Sequence, residues 1–271
     1  MVKKLFYYEF KSYLRALVPV NLILLAIAVM TRLLQLFETE SFSYYLLYGS
    51  SLSAYFITAF VAMLLTTITV IVRFYKNLFS AEGYLTFTLP VTSTQHILTK
   101  LVTGVCVGAI TTVCLILSGM ILTAGELLVE IFKAIGYLFK QIFVAEMGWH
   151  IALYIFELLL VLILSAAYQN LVIYACIALG QRSSKNRIMM AIVCYFAYYM
   201  ISETVSTVLT LIITAFSDSL TVLEAIGKFF TNHPLASIHI FFLISIAVVT
   251  GLGILAFYII KKTVDTRLNL E

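Results

Sequence analysis

Six apolar runs, each long enough to cross a bilayer, constrain this chain more than any other feature. They lie at about Ala16–Phe37, Ser51–Val72, Leu101–Ala124, Ile151–Leu179, Ile188–Phe216 and Ile238–Ile260. A hydrocarbon core about 30 Å thick takes about 20 residues of helix. Within it every backbone N–H and C=O must be satisfied inside the segment. The runs therefore predict an all-α integral membrane protein with six transmembrane helices in one domain over residues 1–271. A chain that is 62% hydrophobic and 11% charged has no soluble fold that would hide its apolar surface.

The segments between the runs have their own patterns. Residues 1–15 place Phe6, Phe10, Tyr13, Leu14 and Leu17 at helical spacing, with Lys4, Lys11 and Arg15 on the other side. This predicts an amphipathic helix lying in the headgroup layer. Pro19 falls in the first turn of the first span, where a missing N–H is tolerated. Thr92-Ser-Thr-Gln95 after Pro90 reads as a capping box, so a helix begins near Thr92 and runs into the third span. Residues 125–150 are amphipathic again: Leu128, Ile131, Ile135, Leu138 and Ile142 oppose Glu126, Glu130, Lys133 and Lys140, with Trp149 close behind. Residues 217–237 predict a short helix or re-entrant pair. Gly104 and Gly108 stand four apart, a spacing that permits close helix approach.

Basic residues set the topology. Lys3, Lys4, Lys11, Arg15, Arg73, Lys76, Lys100, Arg182, Lys185, Arg187, Lys261, Lys262 and Arg267 collect on one side; Arg32, Lys133, Lys140 and Lys228 collect on the other. The excess predicts cytoplasmic termini. Charge spread through the first turns, with no small-residue cleavage site, argues against a cleaved leader. Cys106, Cys114, Cys176 and Cys194 fall inside apolar runs without a Cys-x-x-Cys pair and read as buried thiols.

Several function classes find no support. No phosphate-binding Gly-x-x-x-x-Gly-Lys-Ser/Thr loop and no His-Glu-x-x-His is present. His96, His150, His233 and His239 are scattered near membrane edges, and no catalytic set or metal-ligand set can be assembled on one face. The chain is expected to be neither an enzyme nor a metal binder. Its net charge of +4 is not gathered into a nucleic-acid-binding patch.

Two constellations remain. On the fifth span Tyr195, Tyr199, Glu203, Ser206, Thr207, Thr210 and Thr214 form one stripe, with Glu203 near mid-bilayer. A carboxylate there costs about 3 kcal/mol or more unless paired, wetted or protonated, so the stripe should face protein or a cavity. It reads either as a translocation path or as a hydrogen-bonded helix interface. Glu157, Ser165 and Gln169 form a lesser stripe on the fourth span, with Glu157 near its wet end.

The other constellation is the connector at residues 73–100. Arg73, Tyr75, Lys76, Leu78, Phe79, Glu82, Gly83 and Tyr84 open it, and Leu85 and Phe87 follow. So many large apolar groups suit a docking surface or the membrane interface better than a solvated loop. Gly83 after Glu82 marks a helix end, so Arg73 to Glu82 is expected to form a short helix entering a partner's groove.

The phrases Arg73-Phe-Tyr-Lys-Asn-Leu-Phe79, Glu82-Gly-Tyr-Leu-Thr-Phe-Thr-Leu-Pro90 and Gln95-x-x-x-x-Lys100 resemble the permease subunits of bacterial ABC-2-type exporters. Within that family the chain looks most like permeases that export amphipathic peptides such as phenol-soluble modulins. The resemblance implies a half-transporter in the bacterial cell membrane, paired with a second permease copy, identical or paralogous. It implies separate ABC ATPase subunits that hold ATP and Mg, no cofactor in this chain, and an amphipathic peptide as substrate. By the same likeness Arg73 to Gly83 is the coupling helix, 217–237 the outer re-entrant element, and the Glu203 stripe lies along the central path. The amphipathic segment 125–150 is longer than that plan requires. Two other classes stay open: an ion-coupled secondary transporter using Glu203, and a non-transporting immunity or scaffold protein.

Overall fold

The computed structural model describes residues 2–37, 39–80, 83, 88, 90–144, 148–183, 186–216 and 221–266. Among these the regular structure is helical throughout, with no strand. The helices are α1 (Val2–Leu36), α2 (Phe42–Phe79), α3 (Ser93–Leu122), α4 (Glu126–Val144), α5 (Gly148–Gly180), α6 (Arg187–Phe216), α7 (Thr221–Asn232) and α8 (Pro234–Thr266). Six of them, all but α4 and α7, are long and apolar enough to cross a membrane. Their outward surfaces are lined with exposed Leu, Ile, Val, Phe and Met, which suits lipid as solvent and would be untenable in water.

The chain divides into two compact units. The first comprises Met1–Leu78 and Leu85–Glu146, the second Phe79–Tyr84 and Met147–Glu271. In the first, α1 packs along α3. The face that α1 buries is a single stripe: Glu9, Tyr13, Leu17, Asn21, Leu24, Ala28 and Thr31 recur at three and four. That stripe corrects the expectation of a separate interfacial helix at residues 1–15. Residues 2–15 are the first turns of α1, and the helix continues through Pro19 without interruption. The reason is tertiary: the buried stripe extends on both sides of Pro19 and holds both halves in one register. A proline in a spanning helix is tolerated when neighbours hold the helix in this way.

Small polar groups stitch this unit together. Asn21 Nδ2 donates to Thr111 Oγ1 at 3.5 Å, and the Thr111 and Thr66 hydroxyls share a hydrogen bond at 3.0 Å. The Tyr55 and Ser118 hydroxyls meet at 3.0 Å. Beside them Leu24, Ala28, Tyr55 and Ala62 form an apolar cluster. Without water to compete, packing and interhelical hydrogen bonds must hold spanning helices together. Gly104 is buried, but a Cβ at Gly108 would meet nothing within 4 Å, so Gly108 makes no close helix approach among the described residues.

α3 starts as expected. Thr92 is its N-cap, accepting from the Gln95 N–H at 3.4 Å, while Gln95 Oε1 accepts from the Thr92 N–H at 3.2 Å. At its other end Gly125 takes φ +127°, a conformation that opens the turn into α4. α4 matches the amphipathic segment expected there, and its described residues Val129, Ile131, Phe132, Ile135 and Tyr137 are exposed.

In the second unit α5 packs along α8 and also against α6. The α5–α6 turn is tight. A Cβ on Gly180 would lie 2.7 Å from the Arg187 carbonyl oxygen and 2.8 Å from Ala191 Cβ, so only glycine fits. In the segment expected as a helix or re-entrant pair, the described residues 221–237 hold α7, which leads directly into the start of α8; residues 217–220 lie outside the described set.

Candidate functional site

α2 is 38 residues long, about 57 Å at 1.5 Å per residue, and exceeds what a bilayer requires. Its final turns are Arg73 to Phe79. The segment expected as a coupling helix is therefore not a separate element up to Phe79; it is the end of the long helix α2. Glu82 and Tyr84 lie outside the described residues.

That end of α2 is tied to α1. Arg73 Nη1 donates to Ser12 Oγ at 2.5 Å and Nη2 to the Ser12 carbonyl at 2.9 Å. The guanidinium sits 4.6 Å from the centre of the Tyr13 ring. Two bonds from one planar fork plus a cation–π contact use the shape of arginine as well as its charge. One turn on, Asn77 Nδ2 donates to Glu9 Oε1 at 3.4 Å.

Glu9 also ties α1 to α3. Lys100 Nζ donates to Glu9 Oε1 in an ion pair whose side chains are only 3% and 9% exposed. Burying two charges costs several kcal/mol each, offset only by close pairing and further hydrogen bonds. Asn77 supplies one such bond. Buried Tyr13 stands one turn from Glu9 on α1 and buried His96 one turn from Lys100 on α3, so charge, amide, ring and imidazole share one dry cluster. Sequence reading used Lys100 only as the close of a motif and missed Glu9 as its partner. The available signal was a lone acid among the basic residues of the first fifteen.

Burial revises the docking reading of individual residues. Leu78 is 0% exposed and Phe79 5% exposed, so neither presents its side chain as a free docking surface. Gly83 is buried, and its N–H donates to the Ser80 carbonyl at 2.7 Å. Tyr75 is half-buried and Lys76 exposed.

The stripe on α6 has the opposite character. Tyr195, Tyr199, Glu203, Ser206, Thr207 and Thr210 are all exposed within the chain, and no described residue of α6 is buried. The helix docks on α5 by an edge: the Tyr168 and Tyr198 hydroxyls share a bond at 2.6 Å, and Gln169 Nε2 donates to Tyr195 Oη at 3.3 Å. The Thr210 hydroxyl turns back to the Ser206 carbonyl at 2.9 Å. No described side chain is bonded to Glu203.

Glu157 is not simply wet, as its place in the sequence suggested. Both its carboxylate oxygens lie 2.9 Å from His239 Nδ1. His239 Nε2 in turn lies 3.1 Å from His150 Nδ1. Two histidines that read as scattered are thus brought together, because α5 and α8 pack with their starts side by side. Among the described residues no group of three His, Cys, Asp or Glu side chains is placed to hold a metal ion. No protein family, curated protein or solved structure matches the chain.

Proposed function

We propose that this chain is the membrane subunit of an ATP-driven exporter of the ABC-2 type, moving hydrophobic or amphipathic peptides out of a bacterial cell. The observation that carries the reading is the bracing of the Arg73 end of α2. Arg73 holds α1 through Ser12, and Glu9 joins α1 to α3 through Lys100. A push delivered to the connector after Phe79 would reach three spanning helices at once, as a lever requires. The residues flanking that connector keep the pattern that resembles a coupling loop, and the chain has no nucleotide-binding loop of its own.

A soluble ATPase subunit would supply the force, binding the two arrangements of the connector with different affinity in its different nucleotide states. A second permease copy would cover the exposed α6 stripe, since a carboxylate at Glu203 facing lipid is costly. In this arrangement both termini face the cytoplasm, and α4 lies on the outer surface by its apolar face. The chain itself performs no hydrolysis and holds no cofactor; ATP and Mg belong to the partner.

The deciding experiment is purification in mild detergent from the native membrane, with mass spectrometry of the bound subunits and an ATPase assay on the eluate. The expected complex contains a subunit with a phosphate-binding loop and hydrolyses ATP. Lys76→Glu, on the exposed face, is expected to lower the yield of that subunit at least fivefold while leaving membrane insertion unchanged. A pure complex without any nucleotide-hydrolysing subunit would refute the reading.

A further inference from the structure

We propose that Glu157, His239 and His150 form a proton relay that takes up one proton at His150 and holds the resulting charge on His239, beside Glu157.

With Glu157 ionised and both rings neutral, the geometry allows one arrangement of protons, taken as the basal state. A carboxylate has no proton to give, so His239 Nδ1–H donates to Glu157 across 2.9 Å. In a neutral imidazole the other nitrogen then accepts, and the bond made at one nitrogen dictates the tautomer. His150 Nδ1–H therefore donates to His239 Nε2 across 3.1 Å. This leaves His150 Nε2 as the acceptor at the end of the chain, on a half-buried ring beside the exposed Trp149.

Uptake then needs no rearrangement of heavy atoms. A proton bonds to His150 Nε2. The His150 Nδ1–H bond breaks and a His239 Nε2–H bond forms. His239 now carries both ring protons and donates in both directions, to Glu157 and to His150 Nδ1. The three groups pass from a net charge of −1 to 0 with every hydrogen bond retained. The positive charge comes to rest on His239 because the carboxylate is in direct contact with it and only one ring away from His150. A second proton on His150 Nδ1 would set two N–H groups against each other across 3.1 Å, so the site holds one.

The surroundings leave Glu157 as the counter-charge. On α5, Tyr154 donates its hydroxyl to the Leu235 carbonyl at 2.9 Å, and its ring lies 4.3 Å from that of His239. At the α7–α8 junction, His233 is exposed and packs on Phe229. α6 brings Tyr195 and Tyr198 to Gln169 and Tyr168, about three turns along α5 from Glu157. Among the described residues no other charged side chain is bonded to either ring. The relay joins the first turns of α5 and α8, so their junction responds to proton supply at that end of the second unit. It does not depend on the exporter reading.

The test is 15N-histidine NMR of the full chain in lipid nanodiscs, with the four histidines assigned from single His→Gln variants. At alkaline pH both His150 and His239 are expected as Nδ1–H tautomers. On acidification His239 should gain a second ring proton while His150 switches to the Nε2–H tautomer. In Glu157→Gln the added proton should stay on His150, which keeps Nδ1–H, whereas Glu157→Asp should retain the switch. A wild-type chain in which His150 acquires both ring protons while His239 keeps one would overturn the relay. So would a His150 tautomer unaffected by His239→Gln. If Glu157→Gln fails to fold, the wild-type switch alone decides.

Discussion

Lys100, two turns into α3, is closed over by the structure and paired with Glu9, ninety-one positions earlier on α1. Because both side chains are almost wholly buried, losing one partner takes from the other its close counter-charge in a dry cluster. Glu9→Gln or Lys100→Met is expected to destabilise the first unit by about 3–5 kcal/mol, whereas replacing both by Met should recover much of that loss. Thermal unfolding in detergent of the two single variants and the double variant measures this directly. Equal losses in all three would mean that the pairing is not the source of the effect.

The intramembrane hydroxyl contacts should weigh far less. Interhelical hydrogen bonds in membrane proteins average about 0.6 kcal/mol, because the separated helices find other partners. Thr66→Val, which removes the bond to Thr111 while keeping the branched shape, is expected to lower stability by about 1 kcal/mol or less. The comparison with Glu9→Gln in the same unfolding assay tests whether charge burial or hydroxyl bonding dominates this unit.

Arg73→Lys keeps the charge but loses the fork. The lysine would retain at most one bond to Ser12 and less of the Tyr13 ring contact. Amide hydrogen exchange over residues 2–15 is expected to quicken several-fold, with the rest of α1 unchanged. Unaltered exchange there would show that the Arg73 contacts do not hold the start of α1.

Gly180 and Gly108 give a paired test of packing. Gly180→Ala drives a methyl into the Arg187 carbonyl and the Ala191 backbone, and overpacking of this kind costs about 1–3 kcal/mol. Gly108→Ala meets open space and should be neutral or slightly stabilising. Melting temperatures of the two variants separate the cases. A destabilised Gly108→Ala chain would point to a second molecule packed on that face.

Glu203→Leu removes the exposed carboxylate from α6. If the stripe lies along a path shared with a second copy, transport should fall at least tenfold while yield and melting temperature hold. Aggregation of the variant would assign Glu203 to structure instead.

Periodicity and composition were enough to read the six spans, the Thr92–Gln95 capping box and the amphipathic α4, because each rests on local spacing along one helix. They were misleading at residues 1–15, where the apolar side of an isolated helix seemed to face lipid. The structure instead buries Glu9 and Tyr13, a choice made by Lys100, Asn77 and Arg73 on other helices. The same holds at the end of α2, where Leu78 and Phe79 looked like docking groups and are interior. His150, Glu157 and His239 could not be connected from the sequence, since nothing local ties position 150 to position 239.

What the chain alone determines is its solvent: runs of apolar residues this long must form helices in lipid, because no water is there to satisfy an open backbone. Which charges meet was decided only in three dimensions. A buried ion pair or a histidine contact depends on two helices arriving at one point in one register, and spacing along a single helix carries no record of its neighbour.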